Sequence, residues 1–143
     1  MAINFAEQAN PTATNMDKDV HVKVVKLIFS DFTTGGAASV KAVLPADSTI
    51  LLMNSWKKTE FTGNAVSAAT LSIGVTGAAT QFVNAVDVFT PAVGTSAEVT
   101  PIAAIMQPLS LPLGADISLL FTGTATTGNP TAGEMYVTIY YVR

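Results

Sequence analysis

Apolar and polar residues alternate with a period of two in one segment after another, and glycine, proline or asparagine separates these segments. Successive side chains of a β-strand point to opposite faces of its sheet, so this period predicts strands with one face toward a core. The clearest segment is 69–75, in which Leu71, Ile73 and Val75 alternate with small or polar residues. Six to eight short strands joined by turns predict an all-β chain, an antiparallel β-sandwich with a jelly-roll-like arrangement.

The strand pattern extends over most of the chain, while helical periodicity is weak. The best helical candidate is 81–88, because Phe82, Ala85 and Val86 share one helical face. Pro108 and Pro112 exclude a long helix across 102–114. Strands are predicted over 20–29, 40–44, 49–61, 69–75, 115–124 and 133–143.

The first 19 residues differ from the rest, because they lack a sustained period and contain a turn-forming Asn-Pro pair. We therefore divide the chain into an extended N-terminal arm, 1–19, and a single sandwich domain, 20–143. Ile3 and Phe5 are large apolar residues of the arm. Two interpretations stay open: a frayed terminus, or an arm that docks on a neighbouring molecule through these two residues.

The first predicted strand carries apolar residues in two phases. Val20, Val22 and Val24 alternate on one face, and from Val25 onward the apolar residues occupy the other face. One extra residue in a strand reverses the alternation, so the pattern predicts a β-bulge or a sharp bend between Val24 and Val25.

The last strand is also apolar on both faces. Met135, Val137 and Ile139 form an aliphatic face, which we assign to the core, and Tyr136 and Tyr140 lie on the other. Only 12% of the residues are charged, whereas about 25% is usual for soluble domains. Either threonine and serine coat the surface, or much of it is buried in an assembly. The second reading predicts a homo-oligomer with both tyrosines at an interface.

Trp56 has two possible roles. Packed with Ile50 and Leu52, it would belong to the core; exposed on a sheet, it would contact a protein partner or stack on a sugar ring. The adjacent Lys57 and Lys58 must point to opposite faces of their strand.

The sequence offers no catalytic, cofactor or metal motif, and we expect the protein not to be an enzyme. The one histidine, His21, has no triad motif around it, and cysteine is absent. The net charge of −3 and the lack of a basic run argue against nucleic-acid binding. We also expect no membrane insertion, since no uninterrupted apolar stretch is long enough to span a bilayer.

Two stretches resemble the small β-sandwich virion proteins of tailed bacteriophages: 26–77, with "LPADSTILLMNSWKKTEF" and "ATLSIG", and 120–143, with "TGNPTAGEMYVTIYYVR". The resemblance implies a head decoration, or cement, protein that is made in the host cytoplasm. It implies further that the protein binds the major capsid protein at the capsid surface as a symmetric oligomer, often a trimer. Some similar proteins serve in tails or fibres, which leaves a carbohydrate- or receptor-binding module as the alternative.

Overall fold

The computed structural model describes residues 19–99, 109–110 and 115–142. Ten strands and one short 3-10 turn, Phe29–Asp31, are found in these ranges. The strands are β1 His21–Ile28, β2 Phe32–Thr33, β3 Ala37–Leu44, β4 Thr49–Thr62, β5 Ala68–Val75, β6 Ala78–Asp87, β7 Ser96–Glu98, β8 Leu109–Ser110, β9 Ile117–Thr126 and β10 Ala132–Val142. The arm residues 1–18, with Ile3 and Phe5, and most of the proline-containing segment 102–114 lie outside the described residues.

The strands form two sheets that pack face to face. Sheet A has the order β1-β10-β4-β7, with β8 also paired to β4. Sheet B has the order β2-β9-β5-β6, with β3 also paired to β9. The pairs are antiparallel except for the short β2–β9 contact. The predicted all-β sandwich is therefore confirmed. The chain crosses repeatedly between the sheets, for example from β3 to β4 and from β4 to β5.

The core lies between the two sheets and is built from the inward phase of each long strand. The Phe32 and Phe61 rings meet there, with centroids 4.5 Å apart. Among the described residues, the largest side chains that are almost wholly buried are Phe32, Phe61, Phe82, Leu27, Leu44, Met53, Leu71, Ile73, Leu119, Met135, Ile139 and Val83. The aliphatic face of β10 thus points inward, as its sequence indicated.

The bulge predicted between Val24 and Val25 is absent. β1 pairs with β10 in one continuous register, in which Val24 faces Thr138 and Val25 faces Val137. Val25 is buried, whereas Val24 is 57% exposed. The prediction was wrong because it assumed that every apolar residue of β1 must be buried. Instead, the strand alternates without interruption, and the valines before Val25 lie on the outer face of sheet A.

The helix considered for 81–88 is also wrong, because this segment lies in β6 and pairs with β5. Val86 faces Leu71 and Val83 faces Ile73, so the register shifts between these pairs. Ala85 takes a positive φ of 47° at this irregularity, and its N–H donates to Ser72 Oγ at 2.9 Å. The irregularity puts the neighbours Phe82 and Val83 both in the core, so this segment lacks the strict alternation that identifies a strand in the sequence.

In the described ranges, no helix is long and apolar enough to cross a membrane.

Candidate association surface

The outer face of sheet A presents three neighbouring strands whose side chains align in rows. The register places Val22 beside Tyr140 and Tyr140 beside Leu52 in one row. The next row lies two residues further along the strands and holds Val24, Thr138 and Asn54. We call this surface the A face; its residues are Val22, Val24, Lys26, Ile28, Leu52, Asn54, Trp56, Lys58, Glu134, Tyr136, Thr138 and Tyr140.

One end of the A face is aliphatic and open to solvent. Val22 and Val24 of β1 are 53% and 57% exposed, and Val20 continues their phase beyond the strand. Leu51, the residue inserted where the β4–β10 register shifts, is also exposed. Single exposed apolar residues are ordinary, but a contiguous group on a flat sheet typically marks a contact surface.

An aromatic pair occupies the middle of the A face. Trp56 lies directly opposite Tyr136, with ring centroids 5.7 Å apart and planes inclined by 30°. Trp56 is 40% exposed, so the first of the two roles considered from the sequence, packing in the core, is wrong. The register shift near Leu51 explains the error, since it puts Ile50 in the core and leaves Leu52 on the outer face.

At the other end of the A face, the Glu134 carboxylate contacts three polar side chains. Glu134 Oε1 accepts hydrogen bonds from the Tyr136 hydroxyl at 2.5 Å and from Lys58 Nζ at 3.1 Å. Lys26 Nζ lies 3.3 Å from the same oxygen. The Tyr136 hydrogen bond, followed by that from Lys58, lowers the pKa of Glu134 from 4.5 to about 2. In return, Glu134 raises the pKa of Lys58. The carboxylate fixes the orientation of Tyr136, and through it the aromatic pair.

Lys57 points the opposite way from Lys58, as the alternation required. Its side chain is only 3% exposed, and its ammonium donates to the Phe89 carbonyl and to Glu60 Oε2, the latter at 2.8 Å. The Lys57 carbonyl in turn accepts from the Gly94 N–H at 2.8 Å. Lys57 therefore fastens the loop after β6 to the edge of the sandwich and has no part in the A face.

The outer face of sheet B has a different chemistry. The register of β9 with β5 brings together small hydroxyl side chains, with Thr124 opposite Thr70 and Thr122 opposite Ser72. These side chains offer little apolar area, and the Thr122 hydroxyl is buried without a hydrogen-bond partner among the described residues. Val40 and Val43 of β3 lie on the same outer face and are 53% and 46% exposed. The outer face of sheet B therefore carries threonine and serine along β5 and β9 and exposed valines along β3.

Three of the five residues proposed for an interface come together on the A face: Trp56, Tyr136 and Tyr140. The sequence reasoning missed the valines of β1 and Glu134. The sequence did contain a signal for the valines, since Val20, Val22 and Val24 share one face of the strand. That signal was interpreted as a bulge and not as an exposed apolar face. Glu134 had no signal in the sequence, because its partners come from β1, β4 and β10.

Within the described ranges, no cluster of three or more histidine, cysteine or acidic residues could hold a metal ion. His21 stacks on Tyr141 with ring centroids 5.3 Å apart, a packing contact at one end of β1 and β10.

No protein-family model matches the sequence, and no curated protein is similar enough to it to count as a relative.

Solved structures with the same fold do exist. A chain of the cyanophage Pam1 capsid asymmetric unit superimposes with a TM-score of 0.62 and 20% identity, covering 87% of this chain and 85% of that one. A chain of the acid-stable capsid of Helicobacter pylori bacteriophage KHP30 gives 0.51 and 10% identity, covering 88% and 93%. A chain of the capsid of Ralstonia phage GP4 gives 0.48 and 15% identity, covering 87% and 84%. The likeness to the first two chains establishes a shared sandwich fold.

Proposed function

We propose that the protein is a structural component of a bacteriophage virion, which binds the capsid surface as a symmetric oligomer and reinforces it. The observation that carries the proposal is the fold. Nearly the whole chain superimposes on a chain of the Pam1 capsid asymmetric unit, and the match also covers most of that chain. The two proteins are therefore alike over a complete sandwich.

The A face supports a role in assembly. It combines exposed valines with an oriented tryptophan–tyrosine pair, and such aromatic residues are enriched in protein interfaces. The low charge of the chain points the same way, since a free monomer usually relies on charged groups for solubility. We assign Trp56, Tyr136 and Tyr140 to contacts between subunits.

Reinforcement would follow from mass action. A protein that binds the assembled shell, and not its separate subunits, stabilises the shell by the free energy of that binding. In this proposal the partner is the major capsid protein, the bound species is a homotrimer, and the site of action is the outside of the capsid. Closed symmetry limits growth, which prevents the apolar faces from forming fibres.

The copy number in purified particles tests the proposal. We expect particles of a phage that encodes this chain to contain it in amounts comparable with the major capsid protein, as measured by quantitative mass spectrometry. Particles assembled without it should release DNA at a lower temperature, and added purified protein should restore the original temperature. Absence from the particles, or unchanged release when it is missing, would refute the proposal.

The exposed Trp56–Tyr136 pair supports a second candidate, a tail or fibre component that binds a carbohydrate or receptor. Sugar rings stack on exposed aromatic side chains, and Asn54 lies in the next row. This candidate predicts only a few copies in each particle and quenching of Trp56 fluorescence by glycans. The decoration role predicts many copies and no response to glycans.

A further inference from the structure

We infer that the A face receives the N-terminal arm of a neighbouring copy of this chain. The inference deepens the proposed function, on which it rests, by naming what covers the apolar face. The chain leads directly from the arm to Val20, which lies just before β1 at the aliphatic end of the A face.

The area of the A face indicates that a flat contact alone would be weak. Strands about 4.8 Å apart and about 3.3 Å long per residue give the three strands and the eight residues of β1 an area of roughly 400 Å². A stable interface buries about 800 Å² on each partner. When each copy both donates and receives an arm, it buries the surface of its arm in addition to its A face, which brings the buried area per copy closer to this value.

The order of residues in the arm matches the order of chemistry on the A face. In an extended segment, Ile3, Phe5 and Glu7 would share one side. Rows of a sheet also repeat every second residue, so these three side chains would meet three successive rows. On β1 these rows begin with Val22, Val24 and Lys26, so two aliphatic side chains are followed by a basic one. Tyr140 and Leu52 complete the first row, Thr138 and Asn54 the second, and Tyr136 and Trp56 the third. Glu7 would then lie beside Lys26, whose side chain is about half exposed.

The direction of this match favours the arm of another copy. An arm that folds straight back from Val20 would place Glu7 nearer the valine end than Ile3, which is the reverse of the matching order. Its own chain would need a second reversal to correct this. An incoming extended arm needs no reversal.

The single tryptophan of the chain makes a test possible, because it reports on the A face alone. One full-length variant, Ile3→Ser with Phe5→Ser, keeps the tryptophan but loses the arm anchors. A second variant, Trp56→Phe, keeps the arm but contributes no tryptophan signal. The two are mixed, and the emission maximum and acrylamide quenching of Trp56 are recorded. A triple variant that carries all three substitutions replaces the second protein as the matched control.

We expect Trp56 emission to shift to shorter wavelength and its quenching to fall when the arm donor is added, with no change for the control. Sedimentation should show an assembly in the mixture. No response to the donor would overturn the inference, and so would loss of folding in the Ile3→Ser/Phe5→Ser variant, because the arm would then belong to its own core. The test contains no capsid. A positive response with no incorporation into virions would therefore refute the proposed function and leave the arm exchange standing.

Discussion

Glu134 organises the charged end of the A face. It receives hydrogen bonds from Tyr136 and Lys58 and lies near Lys26, so three strands meet at one carboxylate. A tyrosine held in this way loses little rotational freedom when a partner packs on it, which favours binding.

The protonation of Glu134 should appear in the pH dependence of stability. Its pKa is 4.5 ordinarily and about 2 in the folded protein, so folding favours the ionised form. The resulting stabilisation is complete above about pH 4.5 and is lost as the pH falls toward 2. In Glu134→Gln this contribution is missing. Urea unfolding of both proteins across this range should show their difference in unfolding free energy shrinking as pH falls; a constant difference would contradict the assignment.

The two faces of β10 should respond differently to substitution. Ile139 is wholly buried, and Ile139→Ala should lower the free energy of unfolding by about 2–5 kcal/mol. Tyr136→Ser combined with Tyr140→Ser should weaken association while the isolated sandwich still folds. Chemical denaturation measures the first effect and sedimentation the second. Unfolding of the tyrosine variant with a silent Ile139→Ala would show that the role assigned to each face is wrong.

β1 and β10 show how one pair of strands can be apolar on both sides without a bulge. The inward phase of β1 joins the core through Val25 and Leu27, while Val22 and Val24 line the A face. The core covers the inward phase of β1, while Val22 and Val24 on the outward phase stay more than half exposed in the described part of the chain.

Adjacent valines of β1 provide a matched test of this arrangement. Val24→Thr and Val25→Thr make the same chemical change and preserve the preference for strand structure. At Val25 the new hydroxyl is buried, and we expect a loss of about 1–3 kcal/mol in unfolding free energy. At Val24, which is exposed, the change should stay within about 0.5 kcal/mol. Equal losses at both positions, measured by denaturant unfolding, would favour the bulge after all.

Substitution of Gly133 tests the irregular geometry at the start of β10. Its φ is +142°, and a Cβ there would lie 2.2 Å from the Phe61 ring. The neighbouring register shift with β4 sets the position of Glu134. Gly133→Ala should therefore destabilise the protein by more than about 1 kcal/mol and should also disturb the Glu134 cluster. Thermal unfolding measures the first effect, and nuclear magnetic resonance of the Tyr136 ring the second. A variant as stable as the parent would contradict this geometry.

The outer faces of the two sheets differ in chemistry. The A face carries an aromatic pair and the Glu134 carboxylate, whereas the outer face of sheet B carries hydroxyl side chains on β5 and β9 beside the exposed Val40 and Val43 of β3.

Association through the A face should behave as a largely apolar contact. We expect sedimentation to show species larger than the 14.8 kDa monomer, with little weakening in concentrated sodium chloride and strengthening in sulfate. Val22→Thr and Val24→Thr together should favour the monomer, whereas Thr70→Ser on sheet B serves as a control and should not. A protein that stays monomeric at high concentration, or an assembly that salt dissolves, would contradict this view.

The sequence by itself determined the all-β class, the longest strand and the two faces of β10, because side-chain alternation is a local property of an extended chain. It also indicated that Trp56, Tyr136 and Tyr140 were candidates for a surface, without placing them together. Only the tertiary structure decided that the valines of β1 face outward, that β6 is an irregular strand, and that Glu134 joins three strands. These depend on register and on which neighbour lies across each face, and no local pattern encodes the presence of a second packing partner.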